Sequence, residues 1–110
     1  KKYTALEGEL LVAVEDEKVV GMVAYHRHSK SRCEMKRLYV KLKYRENKLG
    51  KKLVLEILGH AKKAGYKEMV LYTIIPLQSA IHLYKKVGFV ECEAYYHNPM
   101  DDVLYFKKIL

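Results

Sequence analysis

The sequence predicts a mixed α/β domain, one sheet with helices packed on it, in the order β-β-β-α-β-α-β-β. Three observations carry that expectation. β-prone runs crowd the first forty residues; two helical stripes follow, each closed by a glycine; and a short, nearly unbroken apolar run separates the helices.

Residues 9–15 read ELLVAVE, and Asp16, Glu17 and Lys18 break the run before VVGMVAYHRH at 19–28, which is the pattern of a hairpin. A polar turn at 29–32 leads into CEMKRLYV at 33–40, a third strand. Simple alternation places Glu34, Lys36 and Leu38 on one face of it and Cys33, Met35, Arg37 and Tyr39 on the other. After a polar loop at 41–47, Leu49, Leu53, Ile57, Ala61 and Ala64 recur at spacings of three and four, so one helix buries one stripe. Asn47 suits its N-cap and Gly65 its C′ stop. EMVLYT at 68–73 reads as an interior strand covered on both faces by helices. Pro76 then opens a second helix with the stripe Leu77, Ile81, Tyr84 and Val87, closed by Gly88. A strand begins at 89–93, a loop with Asn98 and Pro99 spans 95–102, and the last strand is 103–110.

The chain has 110 residues, 21 Lys and Arg against 13 Asp and Glu, a net charge of +8. That length holds one core. No apolar run approaches the ~20 residues that span a bilayer. Cys33 and Cys92 are too few to staple a secreted fold and no signal peptide is evident, so a reducing, cytoplasmic setting is expected. The positive excess predicts an anionic partner, nucleic acid or a phosphorylated cofactor alike. Lys1 in the place of an initiator Met leads us to expect residues ahead of it.

Chemistry concentrates where the third strand gives way to the first helix, in VKLKYRENKLGKK at 40–52. N–H groups at a helix N-terminus lack intrahelical acceptors and carry about half a positive charge, which suits a phosphate. Gly50 lets the backbone come close, while Lys48, Lys51 and Lys52 add charge. A solvated helix start with ordinary surface lysines is the plainer reading of the same letters.

CEMKRLYV, YRENKLGKKL and AIHLYKKVGF together resemble the GNAT acetyltransferases, in the family's element order and from about residue 9 onward. The resemblance implies a mostly antiparallel, twisted GNAT sheet with flanking helices, one domain over 1–110, and acetyl-CoA as co-substrate. It also implies that a strand and one or two helices precede residue 1 in the natural chain. The family's pyrophosphate loop, R/Q-x-x-G-x-G/A, maps onto Arg45, Glu46, Asn47, Lys48, Leu49 and Gly50, followed by Lys51; Lys48 stands where the first glycine is usual. Near Leu38, Tyr39 and Val40 the resemblance implies a bulge and a parting from the next strand, so that the cofactor's pantetheine arm pairs with freed backbone and an N–H faces the oxyanion.

The reaction needs a base for the acceptor ammonium and an acid for the departing thiolate. Tyr84 stands at the family's acid position, and a phenol of pKa about 10 keeps its proton at pH 7; periodicity alone reads it as a core aromatic. Glu34 matches the base of some relatives, bound water serves in others, and a surface pair with Lys36 or Arg37 is the bland alternative. Tyr95, Tyr96 and His97 fall where relatives border the acceptor. No metal is expected: His26, His28 and His97 lack a supporting carboxylate or cysteine cluster. Cys33 reads as a buried thiol. Leu77 replaces an Asn that contacts the cofactor in several relatives, with Gln78 or Ser79 as substitutes.

The leading expectation is transfer of an acetyl group to a primary amine, on a small molecule or a peptide. The rivals are a GNAT fold that binds CoA without turnover and, less favoured, a basic nucleic-acid module using its tyrosines. An exposed last strand would offer its edge to a second subunit, the route to a homodimer.

Overall fold

The computed structural model describes residues 8–95 and 101–110, and of 45–47 the backbone alone. Strands β1 (Gly8–Glu15) and β2 (Lys18–Arg27) form the expected hairpin, with Glu15 opposite Lys18. Asp16 and Glu17 turn the chain in left-handed backbone, φ 53° and 63°. Two left-handed turn residues give the twist that matches flanking strands. β3 (Arg32–Val40) pairs antiparallel with β2, and α1 (Leu49–Lys63) then crosses to β4 (Glu68–Ile74), parallel to β3. α2 (Gln78–Lys86), β5 (Val90–Cys92) and β6 (Val103–Ile109) follow. The six-stranded sheet has the order β1-β2-β3-β4-β6-β5. β6 therefore lies inside the sheet between β4 and β5, so the last strand is no free edge; among the described residues β1 and β5 are the edges.

Both helices sit on one face. α1 buries Leu53, Val54, Ile57, Leu58 and Ala61, and α2 buries Ile81 and Tyr84, against Val23, Tyr25, Cys33, Met35, Met69, Leu71 and Phe106 from the strands. Each fully buried aliphatic side chain contributes about 1.5–3 kcal/mol relative to exposure. The other face of β4 carries Val70 and the 39% exposed Tyr72, with no helix on it among the described residues, which corrects the expectation of cover on both faces. α1 comes close to β2 at Gly21, where an added Cβ would stand 3.0 Å from Leu53 Cδ1 and 3.1 Å from the Tyr39 carbonyl oxygen.

The helix boundaries differ from expectation at their starts. Residues Leu42–Asn47 form a 3₁₀ turn, so Asn47 belongs to that turn and Lys48, with φ 60°, caps α1 instead. Pro76 lies ahead of α2: the Leu77 N–H donates to the Ile74 carbonyl, Gln78 Nε2 donates to the Ile75 carbonyl, and the first α-type bond runs from Ile81 N–H to Leu77 O. The helix ends follow the glycines as expected. Gly65 and Gly88 have φ 101° and 105°. Gly88 N–H donates to Lys85 O and Phe89 N–H to Tyr84 O, while Gly65 N–H donates to Lys62 O and Tyr66 N–H to Ala61 O. These are the paired bonds of a Schellman stop. In α2 they seat the Phe89 ring 6.0 Å from that of Tyr84.

Candidate active site

β3 does not alternate simply. Met22 faces Tyr39 but Ala24 faces Lys36, and Arg37 takes φ 59°. The extra residue is a bulge, and it exchanges the faces of the strand. Cys33 and Met35 lie in the core before it, Val40 lies in the core after it with Leu38 packed on the same cluster, and Glu34 and Lys36 point away. Glu34 and Leu38 thus do not share a face as alternation had them.

The bulge has a second effect. The β3–β4 ladder runs only from Arg32 opposite Glu68 to Glu34 opposite Val70. Beyond that point β3 continues beside β2 and β4 beside β6. The two strands part, as the resemblance implied, and Glu34 stands at the vertex.

A cleft of about 540 Å³ opens at the parting. Leu38, Tyr39 and Val40 line it from β3, Lys48, Gly50 and Lys51 from the start of α1, and Gln78, Ser79, His82 and Lys86 from α2. No carboxylate lines it among the described residues. The α1 N-terminus has no side-chain cap bond from Lys48 and no acid in its first turn, so its field is not opposed locally. An added Cβ on Gly50 would meet Leu83 of α2 at 3.4 Å and Val40 at 3.6 Å, both residues that line the cleft with it. Leu49 packs on the core instead. Arg45, Glu46 and Asn47 lie in the 3₁₀ turn, their side chains outside the described residues. Lys48 holds the left-handed backbone that favours glycine, which explains why a glycine is usual there.

Tyr84 does not line the cleft. It is 7% exposed and packs on Phe89 and Phe106. Burial alone pushes its phenol up to about 12. No fully buried side-chain oxygen or nitrogen among the described residues lacks a hydrogen-bond partner, and no bond to the Tyr84 hydroxyl accompanies its shift, so the hydroxyl tip is not sealed in.

Across the sheet, Glu34 is 5% exposed and holds three partners among the described residues. The Tyr95 hydroxyl donates to Oε2 at 2.6 Å, His26 Nε2 lies 3.2 Å from Oε1, and Lys36 Nζ 3.7 Å from the same oxygen. The Tyr95 ring stacks edge-on with His28 and Tyr105, and Lys36 sits 5.8 Å above the Tyr72 ring. Glu34 is therefore not an exposed pair with Lys36 or Arg37, and Tyr95 is placed beside it. Tyr96 and His97 lie outside the described residues. Cys33 is fully buried, its thiol pushed up to about 12 by burial. Sequence reasoning missed His82 and Lys86 in the cleft, although 78, 82 and 86 recur every four residues, and missed His26 as the partner of Glu34.

The model of the Acetyltransferase (GNAT) family matches residues 2–89. The chain belongs to the GNAT family. This GNAT chain is 44% identical over 109 residues to an uncharacterized N-acetyltransferase of Schizosaccharomyces pombe, covering 97% of this chain and 67% of that protein. It is 46% identical over 77 residues to an uncharacterized N-acetyltransferase of Dictyostelium discoideum, covering 70% of this chain but 36% of the relative, so it spans little more than a third of that protein's length. Among solved structures, a PaiA N-acetyltransferase from Thermoplasma acidophilum in complex with coenzyme A superposes with a TM-score of 0.82 at 26% identity, covering 94% of this chain and 62% of that one. Membership places the chain among acyltransferase enzymes. No helix of the described residues is long and apolar enough to cross a membrane.

Proposed function

We propose that this GNAT domain transfers the acetyl group of acetyl-CoA to a primary amine, on a small molecule or a peptide, by direct attack. The observation that carries the reading is the parting of β3 from β4, with a cationic cleft on the helix side that no described carboxylate lines and Glu34 at the vertex on the other. The backbone N–H groups of Leu49, Gly50 and Lys51 and the charges of Lys48, Lys51 and Lys86 suit a diphosphate. The cleft's volume and its apolar wall at Leu38, Val40 and Leu83 suit the pantetheine arm, and the parted strands give its amides a place to pair. Bound there, acetyl-CoA supplies the activated acyl group.

Glu34 takes the proton of the acceptor ammonium, and the freed nitrogen attacks the thioester carbonyl. Tyr84, its phenol kept protonated by burial, gives a proton to the departing sulfur. Tyr95 orients Glu34 by its 2.6 Å bond.

Calorimetry with acetyl-CoA, followed by thiol release with a panel of amines, amino acids, peptides and aminoglycosides, tests the reading. Tyr84→Phe is expected to bind acetyl-CoA as the parent does and to release thiol about 10²–10⁴-fold more slowly. No association at millimolar acetyl-CoA overturns the proposal. Cofactor binding without turnover is a second reading, favoured by the buried ring of Tyr84, and thiol release absent with every amine despite tight binding would select it.

A further inference from the structure

We propose that His26 carries the proton taken up by Glu34 out to solvent, as a relay residue that never touches substrate. The inference rests on the reading of Glu34 as the base.

Acetyl transfer from a thioester to an ammonium yields an amide, a thiol and one proton. The N–C bond forms as the C–S bond breaks, the sulfur takes one proton, and the other must leave the site at each turnover. Glu34 is 5% exposed and so is poorly placed to discharge directly to water. Its neighbours differ in what they can accept. Lys36, 3.7 Å from Oε1, is an ammonium with no lone pair to offer, and Tyr95 already donates its hydroxyl proton to Oε2 at 2.6 Å. Among the described residues His26 is the remaining partner, with Nε2 at 3.2 Å from Oε1. Its side chain is 39% exposed, so the same ring that meets the buried carboxylate also meets water. An imidazole has two nitrogens that exchange roles between donor and acceptor, and it is the side chain suited to do so near neutral pH.

The step balances within these groups. Glu34 Oε1–H gives its proton to Nε2 of the Nδ1–H tautomer, Nδ1–H gives its own to water, and exchange with solvent restores the starting tautomer. Among the described residues, Glu34 meets the ring directly, Lys36 of β3 and Tyr95 from the segment after β5 hold the same carboxylate, and His28, just past the end of β2, lies against the Tyr95 ring; the partner of His26 on β1 is Gly8. The placement follows from the hairpin: 26 and 34 are directly opposed across the turn that joins β2 to β3.

The test uses the intact chain and the best amine of the panel. His26→Ala is expected to lose on the order of tenfold in turnover at pH 7, to keep its acetyl-CoA affinity, and to regain rate as imidazole is added to tens of millimolar. His26→Gln keeps an N–H toward Glu34 but cannot relay, and is expected to be as slow as His26→Ala, with the acid limb of its pH–rate profile altered. Full activity of His26→Gln, or a slow His26→Ala that no buffer rescues and whose pH profile is unchanged, overturns the relay. Glu34→Gln separates the two ideas. An inactive Glu34→Gln with a fully active His26→Ala sinks the relay alone, whereas an active Glu34→Gln sinks the base and the relay with it.

Discussion

Cys33 shows how one buried side chain makes the whole fold sensitive to alkali. Its Sγ is fully buried, 3.7 Å from the Glu68 carbonyl oxygen, and burial lifts its pKa from 9.0 to about 12. Above pH 9 the unfolded chain therefore loses a proton that the folded chain keeps. Fewer protons on the unfolded state mean that stability falls as pH rises through that window. Tyr84 adds the same sign, beginning from its ordinary 10.0 and ending near 12. Urea melts at pH 8 and pH 10 should show this decline. Cys33→Ala should start lower, because it leaves a cavity, but lose less between those two pH values. An equal loss in both proteins would assign the alkaline sensitivity elsewhere. Glu34 is the other buried group whose surroundings decide its use: Tyr95, His26 and Lys36 turn a strand carboxylate into a held one.

Elements carry strain where the chain bends. The β1–β2 turn places Asp16 and Glu17, neither a glycine, in left-handed backbone. Such a conformation costs a residue with a Cβ roughly 1–2 kcal/mol. Glu17→Gly is expected to stabilise the domain by about 1 kcal/mol and to raise its melting temperature by about 4 °C, read by circular dichroism. A melting point unchanged or lowered would contradict the turn geometry. α2 illustrates the opposite case, a glycine where it is wanted. In A-x-x-L-Y-x-x-x-G-F, Gly88 closes the helix and Phe89 folds back on Tyr84, so the motif holds that ring whatever its chemistry. An added Cβ at Gly88 would also meet Lys108 Nζ at 2.7 Å.

On the scale of the molecule, the net charge of +8 acquires direction at the cleft, where Lys48, Lys51 and Lys86 surround a space with no described acid. Screening shortens from about 10 Å at 0.1 M salt to about 3 Å at 1 M. Acetyl-CoA affinity measured by calorimetry should therefore weaken several-fold over that range; a flat response would show that these lysines do not meet the ligand's phosphates. The letters foretold the hairpin, both helices and their glycine stops, because turn chemistry, side-chain period and the left-handed preference of glycine act within a few residues of the chain. They also located the helix start that faces the cleft. Starts of helices were less legible, since Lys48 rather than Asn47 caps α1 and a turn at Pro76 precedes α2. Alternation failed in β3, where one extra residue at Arg37 moved Leu38 to the core face and freed β3 from β4. No local pattern announces that, nor the placing of β6 between β4 and β5, nor the meeting of Glu34 with Tyr95 sixty-one residues later. Short-range sterics gave this chain its elements and their ends, whereas the vertex at Glu34 and the helical walls of the cleft exist because distant strands compete for one sheet and settle their register together.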